Sequence, residues 1–142
     1  MLYSQDRNQL RMVFFQAWEK HQQAQPLDTM ETILVNIIGQ HPEYHSLLSE
    51  KNKNLDKDYN PEMGETNPFL HLSMHIAIHE QLSIDQPAGI KEAYQKLLNK
   101  LNDSHEVEHH IMECLGEMIW KSQKYQTMPD QVEYINCIKK QL

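Results

Sequence analysis

Residues 67–82 read Asn67-Pro68-Phe69-Leu70-His71-Leu72-Ser73-Met74-His75-Ile76-Ala77-Ile78-His79-Glu80-Gln81-Leu82. An asparagine able to cap, followed by a first-turn proline, opens a helix here that runs to about Leu82. At about 100° per residue, His71, His75 and His79 fall within an arc of roughly 80°. Met74, Ile78 and Leu82 flank them on one side, and Phe69, Leu72 and Ile76 on the other. Ser73, Glu80 and Gln81 take the opposite, polar arc. The three imidazoles therefore point into the protein. Each unsatisfied buried polar group costs on the order of 1–3 kcal/mol, so three in a row call for partners.

A second stripe supplies a match. His105, His109, Glu113 and Glu117 recur every fourth residue in a helix expected over 103–125, opened by Asp103 and Glu106 as a capping box. Val107, Ile111, Cys114, Leu115, Met118 and Ile119 form its apolar arc. Gly116 and Trp120 share the stripe's face and point to a close neighbour there. Two facing helices with such stripes are how bundles build metal centres. The ligands expected are His71, His75, His105, His109 and Glu113, with His79, Glu117, His41 and His45 in reserve. Nitrogen and oxygen donors without thiolate suit zinc, iron, manganese or nickel, and no organic cofactor is expected.

Outward from these two segments, helical periodicity continues. One helix is expected from about Ser4 to Gln23, with Leu10, Val13, Phe14, Ala17, Trp18 and His21 on one face. Pro26 ends it. Asp28 and Glu31 read as a capping box for a helix with core residues Ile33, Leu34, Ile37 and Ile38, stopping at Gly39. A short helix carries Tyr44, Leu47 and Leu48, a further helix opens at Asp85-Gln86-Pro87 and ends near Asn102, and a last one runs from Pro129-Asp130 through Ile138. The stretch 50–67 is polar and aperiodic and reads as a loop. With only 4 glycines and no alternating β-branched runs, the expected fold is all-α. It is read as a single domain over 1–142, a bundle of five to six helices.

Bulk properties narrow the function. The net charge of −7 over 142 residues argues against a nucleic-acid or anionic-membrane partner. No apolar run reaches the ~20 residues that span a bilayer, and the N-terminal residues lack the basic-then-apolar pattern of a signal peptide. The two cysteines, Cys114 and Cys137, make no disulfide framework, and a reducing, cytoplasmic compartment is the simple reading. Cys114 is expected in the core. Partner proteins and oligomeric state stay open.

Three further motifs compete with this reading or accompany it. His105-Glu106-Val107-Glu108-His109 matches the H-E-x-x-H of zinc hydrolases, with Glu106 as general base. Glu106-x-x-His109 supplies one of the two Glu-x-x-His pairs that a carboxylate di-iron site needs, and no second pair is present. His41-Pro42-Glu43-Tyr44-His45 is better suited to local capping than to ligation. A metal-free alternative makes the chain a protein-interaction module with a buried histidine cluster and the 50–67 loop as its partner surface.

Three stretches carry a resemblance: 41–45, PEMGETNPFLHLSMHIAIHEQ from Pro61 to Gln81, and EHHIMECLGEMIW from Glu108 to Trp120. Together they resemble a bacterial family known only as domain of unknown function 1841. The resemblance implies a small single-domain bacterial protein. It implies no activity and transfers no catalytic residue.

Overall fold

Capping side chains set where the helices begin. Asp28 accepts from Glu31 N, and Glu31 returns a hydrogen bond to Asp28 N, closing the expected box. Asn67 Oδ1 accepts from Phe69 N and Leu70 N. Asp103 accepts from His105 N and Glu106 N, and Asp130 from Glu133 N. Each of these caps contributes about 1 kcal/mol.

A computed structural model describes residues 2–59 and 67–142, with side chains from residue 7 onward. The described residues form α1 (Leu2–Gln22), α2 (Thr29–Gly39), a 3-10 turn (Pro42–Tyr44), α3 (His45–Leu48), α4 (Lys51–Asn54), α5 (Pro68–Ile84), α6 (Ile90–Leu101), α7 (Ser104–Tyr125) and α8 (Gln131–Lys139). The all-α expectation holds, but eight α-helices replace the expected five to six. The short helix expected to carry Tyr44, Leu47 and Leu48 is the 3-10 turn and α3, whereas α4 lies inside the stretch read as loop, where four residues are too few to display a 3.6-residue period. Residues 60–66 of that stretch lie outside the described residues. None of the described helices is long and apolar enough to cross a membrane.

The chain divides into two compact units, 1–73 and 74–142, with the boundary inside α5. Unit 1 packs α1 against α2 and α3. Its core includes Phe14, Phe15, Trp18, Leu34, Ile38, Leu48 and Phe69. The buried face of α1 matches the expected one at Phe14, Ala17 and Trp18 and departs from it elsewhere. Leu10 and Val13 are exposed, whereas Arg11, Phe14, Phe15 and Trp18 are buried, an i, i+3, i+4, i+7 set that the charge at position 11 disguises. Arg11 Nη1 donates to Leu55 O at 3.0 Å and to Lys57 O at 2.7 Å, while its guanidinium lies 4.6 Å from the Phe69 ring centre. Those bonds give the buried charge partners and tie down 55–57.

Unit 2 consists of 74–84 of α5 together with α6, α7 and α8. Its core gathers Ile78, Ile90, Leu97, Val107, Ile111, Leu115, Tyr134 and Ile138. Burying each of these large side chains contributes about 1.5–3 kcal/mol. Tyr134 O–H donates to Gln81 Oε1 at 2.7 Å, so its polar end is satisfied; burial pushes its pKa up. The helix expected from Asp85-Gln86-Pro87 starts later, at Ile90. Gly89 precedes it with φ of 97°, a conformation that favours glycine.

The cysteines also depart from expectation. Cys114 on α7 and Cys137 on α8 are joined in a disulfide, with Cα atoms 5.8 Å apart. They are 23 residues apart on separate helices, so spacing alone carried no sign of the pairing.

Candidate metal centre

In unit 2, His75 comes from the middle of α5, and His105 and His109 from the first two turns of α7. The cap at Asp103 places His105 at the second position of α7. Val107 and Ile111, both fully buried, fix which way the helix faces, and this orients His105 and His109 toward α5. The His75 ring lies 5.1 Å from the rings of both His105 and His109, and those two are 4.2 Å apart, centre to centre. One nitrogen from each ring lies within 4.8 Å of the others. Zinc–imidazole bonds of about 2.0–2.1 Å in a tetrahedron put ligand nitrogens about 3.3 Å apart.

His75 is completely buried, and beside it sits Glu108, 5% exposed. Glu108 Oε1 accepts from His75 Nδ1 at 3.3 Å and from His79 Nε2 at 3.0 Å. Burial on its own would raise the carboxyl pKa. The hydrogen bonds from His75 and His79, reinforced by their charge, outweigh it and hold Glu108 down at about 2. His79 moves the other way: its bond to Glu108 raises its pKa, against an opposing contribution from burial. An ionised carboxylate can only accept, so His75 carries a proton on Nδ1, and in its neutral form Nε2 is the nitrogen a metal would take.

His71 belongs to unit 1, where its Nε2 lies 3.0 Å from His41 Nε2. His41 Nδ1 donates to Ile37 O at 2.9 Å and its ring stacks on Tyr44. His45 Nε2 donates to Ile38 O at 2.9 Å, and its ring centre is 4.5 Å from that of Trp18. His79 is half-exposed and joins through Glu108. Glu113 and Glu117 are exposed and stand outside the histidine group. Glu117 pairs with Lys121 at 3.4 Å. Glu106, the base of the hydrolase motif, is exposed and lies 3.9 Å from His110, away from His105 and His109. The residue that sequence reasoning missed is Glu108. Its signal was present: Met112 and Leu115, four and seven residues on, are both buried, so position 108 lies on an inward face.

None of the curated proteins and none of the solved structures compared matches the chain. A family model does: over residues 6–140, nearly the whole length, the chain matches the one described as domain of unknown function DUF1841. With coverage that complete, the protein belongs to the DUF1841 family.

Proposed function

We propose that the protein binds one divalent transition-metal ion through His75, His105 and His109, with Glu108 as the carboxylate that orients His75. The observation that carries this reading is the convergence of three imidazole nitrogens within 4.8 Å beside a buried, ionised carboxylate. Metal-bound histidines regularly donate their second N–H to such a group, which fixes the tautomer and strengthens the ligand. Zinc, iron, manganese and nickel all accept imidazole, and zinc suits a three-histidine set best. Three protein ligands leave a coordination position for water or a substrate. The zinc-hydrolase version lacks its base, because Glu106 faces His110 instead. As part of the same reading we place the protein in the bacterial cytoplasm as a single domain, a location that the Cys114–Cys137 disulfide, unusual in a reducing compartment, weighs against.

One observation favours a metal-free reading. The rings of His75 and His105 are stacked with planes 9° apart, an arrangement that imidazoles adopt without a metal. In that case the cluster is a buried polar network in an interaction module.

Elemental analysis of tag-free protein purified without chelator separates the two, run beside a His75→Ala, His109→Ala variant. About one equivalent of metal in the wild type, absent from a folded variant, supports the centre. A folded wild-type protein that takes up no zinc, iron, manganese or nickel overturns it.

A further inference from the structure

Helix α8 has apolar packing of its own beside the Cys114–Cys137 disulfide. That helix already buries Tyr134, Ile135 and Ile138, and a chain of 142 residues has core enough to fold without a staple. Both sulfur-bearing residues instead line a groove of about 1070 Å³ walled by α7, α8 and the residues joining them. We propose that this disulfide is a thiol-exchange site for a small zwitterionic thiol, with Cys137 the sulfur attacked and Cys114 the sulfur that leaves.

The two sulfurs are not equivalent. Cys114 is 1% exposed, whereas Cys137 is partly exposed and is the one an incoming nucleophile reaches. Gln141 Nε2 donates to Cys114 Sγ at 3.1 Å. That amide is held in place, because it also donates to His110 O while its Oε1 accepts from His110 Nδ1. A fixed N–H aimed at a sulfur favours its thiolate, and the more stable thiolate is the better leaving group. Cys137 has the opposite neighbour: Glu117 Oε2 lies 3.9 Å from its sulfur, and a carboxylate disfavours a thiolate there. Lys121 pairs with both Glu117 and Glu133, which moderates the repulsion an arriving thiolate meets. The groove carries Lys121, Lys139 and Lys140 together with Glu117, Asp130 and Glu133. Charges of both signs at one site suit a ligand that bears both.

The chemistry balances without a further reagent. A thiolate bonds to Cys137 Sγ as the disulfide breaks, and the bonding pair leaves on Cys114 Sγ. A second thiolate bonds to the sulfur of the first and releases Cys137 as a thiolate. Two small thiols have become one small disulfide, two electrons have passed to the protein, and the two new thiolates take up protons from water.

Glutathione is the probe. The oxidised wild-type protein is treated with millimolar glutathione under native conditions, with thiols counted by mass and helix content followed by circular dichroism. The expected result is complete reduction with helix content unchanged. In parallel, Cys114→Ser and Cys137→Ser are exposed to glutathione disulfide. In this direction the protein thiolate attacks and access decides, so Cys114→Ser should gain its mixed disulfide at the accessible Cys137 faster than Cys137→Ser gains one at the buried Cys114. Gln141→Leu should slow reduction of the otherwise wild-type chain severalfold. A disulfide that yields only on unfolding is a structural cross-link and overturns the proposal. So do equal or reversed adduct rates, and so does a reduced wild type that never re-forms the bond with glutathione disulfide. None of these readouts depends on metal, so failure of the metal centre and failure of the exchange site are told apart.

Discussion

At the N-terminal end of the α7 stripe, His105 and His109 lie against His75 of α5. At its C-terminal end Glu113 and Glu117 are exposed, and beyond them Trp120 lies 55% open with the Lys124 ammonium 4.7 Å over its ring. The sequence pattern at the two ends is the same. Each four-residue step turns about 40° around a helix, so between 105 and 117 the stripe swings roughly 120°. Its first half faces a neighbour and its second half faces water. α5 behaves alike: His75 is wholly buried, while the His79 side chain one step on is 42% exposed. Four-residue spacing therefore reports a shared face over two turns and loses that meaning over four.

The sharpest way to break this comparison is to cut each end of the stripe. His105→Ala with His109→Ala removes two of three ligands. If a site of this kind is worth about 10 kcal/mol, affinity for zinc falls at least on the order of ten-thousandfold. Glu113→Ala with Glu117→Ala should leave it unchanged by calorimetric titration. Equal losses at the two ends would sink the assignment.

Stability of the metal-free protein gives the next largest contrast. Glu108→Ala strips the buried His75 of its carboxylate and should cost about 3–5 kcal/mol in denaturant unfolding, whereas Glu113→Ala stays within about 0.5 kcal/mol. The pH dependence follows from the shifts. Glu108 is held near 2 in the fold against an ordinary 4.5. Its contribution is thus complete above pH 4.5 and is lost as pH falls through about 2. His79 is raised from 6.5, so its contribution is complete below that pH and is lost as pH rises past its folded value. The advantage of wild type over Glu108→Gln should therefore be greatest between pH 4.5 and 6.5. A difference that is flat from pH 2 to 8 would remove the ion pair from the account.

Metal affinity of Glu108→Gln sharpens the site itself. Loss of an orienting carboxylate typically costs 10–100-fold, with the metal content still near one per chain at saturation. No change in affinity would leave Glu108 with a structural part only. Gly116→Ala tests the middle of α7 and has the smallest expected effect. A Cβ there meets Met74 Cε at 3.6 Å, an ordinary contact, so alanine's better helix propensity should raise stability by up to about 1 kcal/mol. A loss would show that α5 and α7 pack more tightly at this point than the contact distance implies.

Much of the fold was legible because helix starts are local events. Asp28, Asn67, Asp103 and Asp130 all cap where their neighbours said they would. Arg11 and Glu108 were legible only as positions beside apolar faces, not as buried charges. A charged residue on an inward face reads as polar until its partners are known, and those partners are far along the chain: Leu55 and Lys57 for Arg11, His75 for Glu108. The edge of the α1 face, at Leu10, Arg11 and Val13, was misread for that reason.

The sequence by itself determined that the chain is helical, where most helices start, and which two segments carry metal-binding side chains at one-turn spacing. These depend on interactions within a few residues, which order in the sequence encodes directly. Tertiary structure alone decided which members of each stripe meet, that Glu108 stands behind His75, and that Cys114 finds Cys137 across 23 residues. Those outcomes depend on the rotation and packing of one helix against another, set by the sum of many small apolar contacts that no single spacing records.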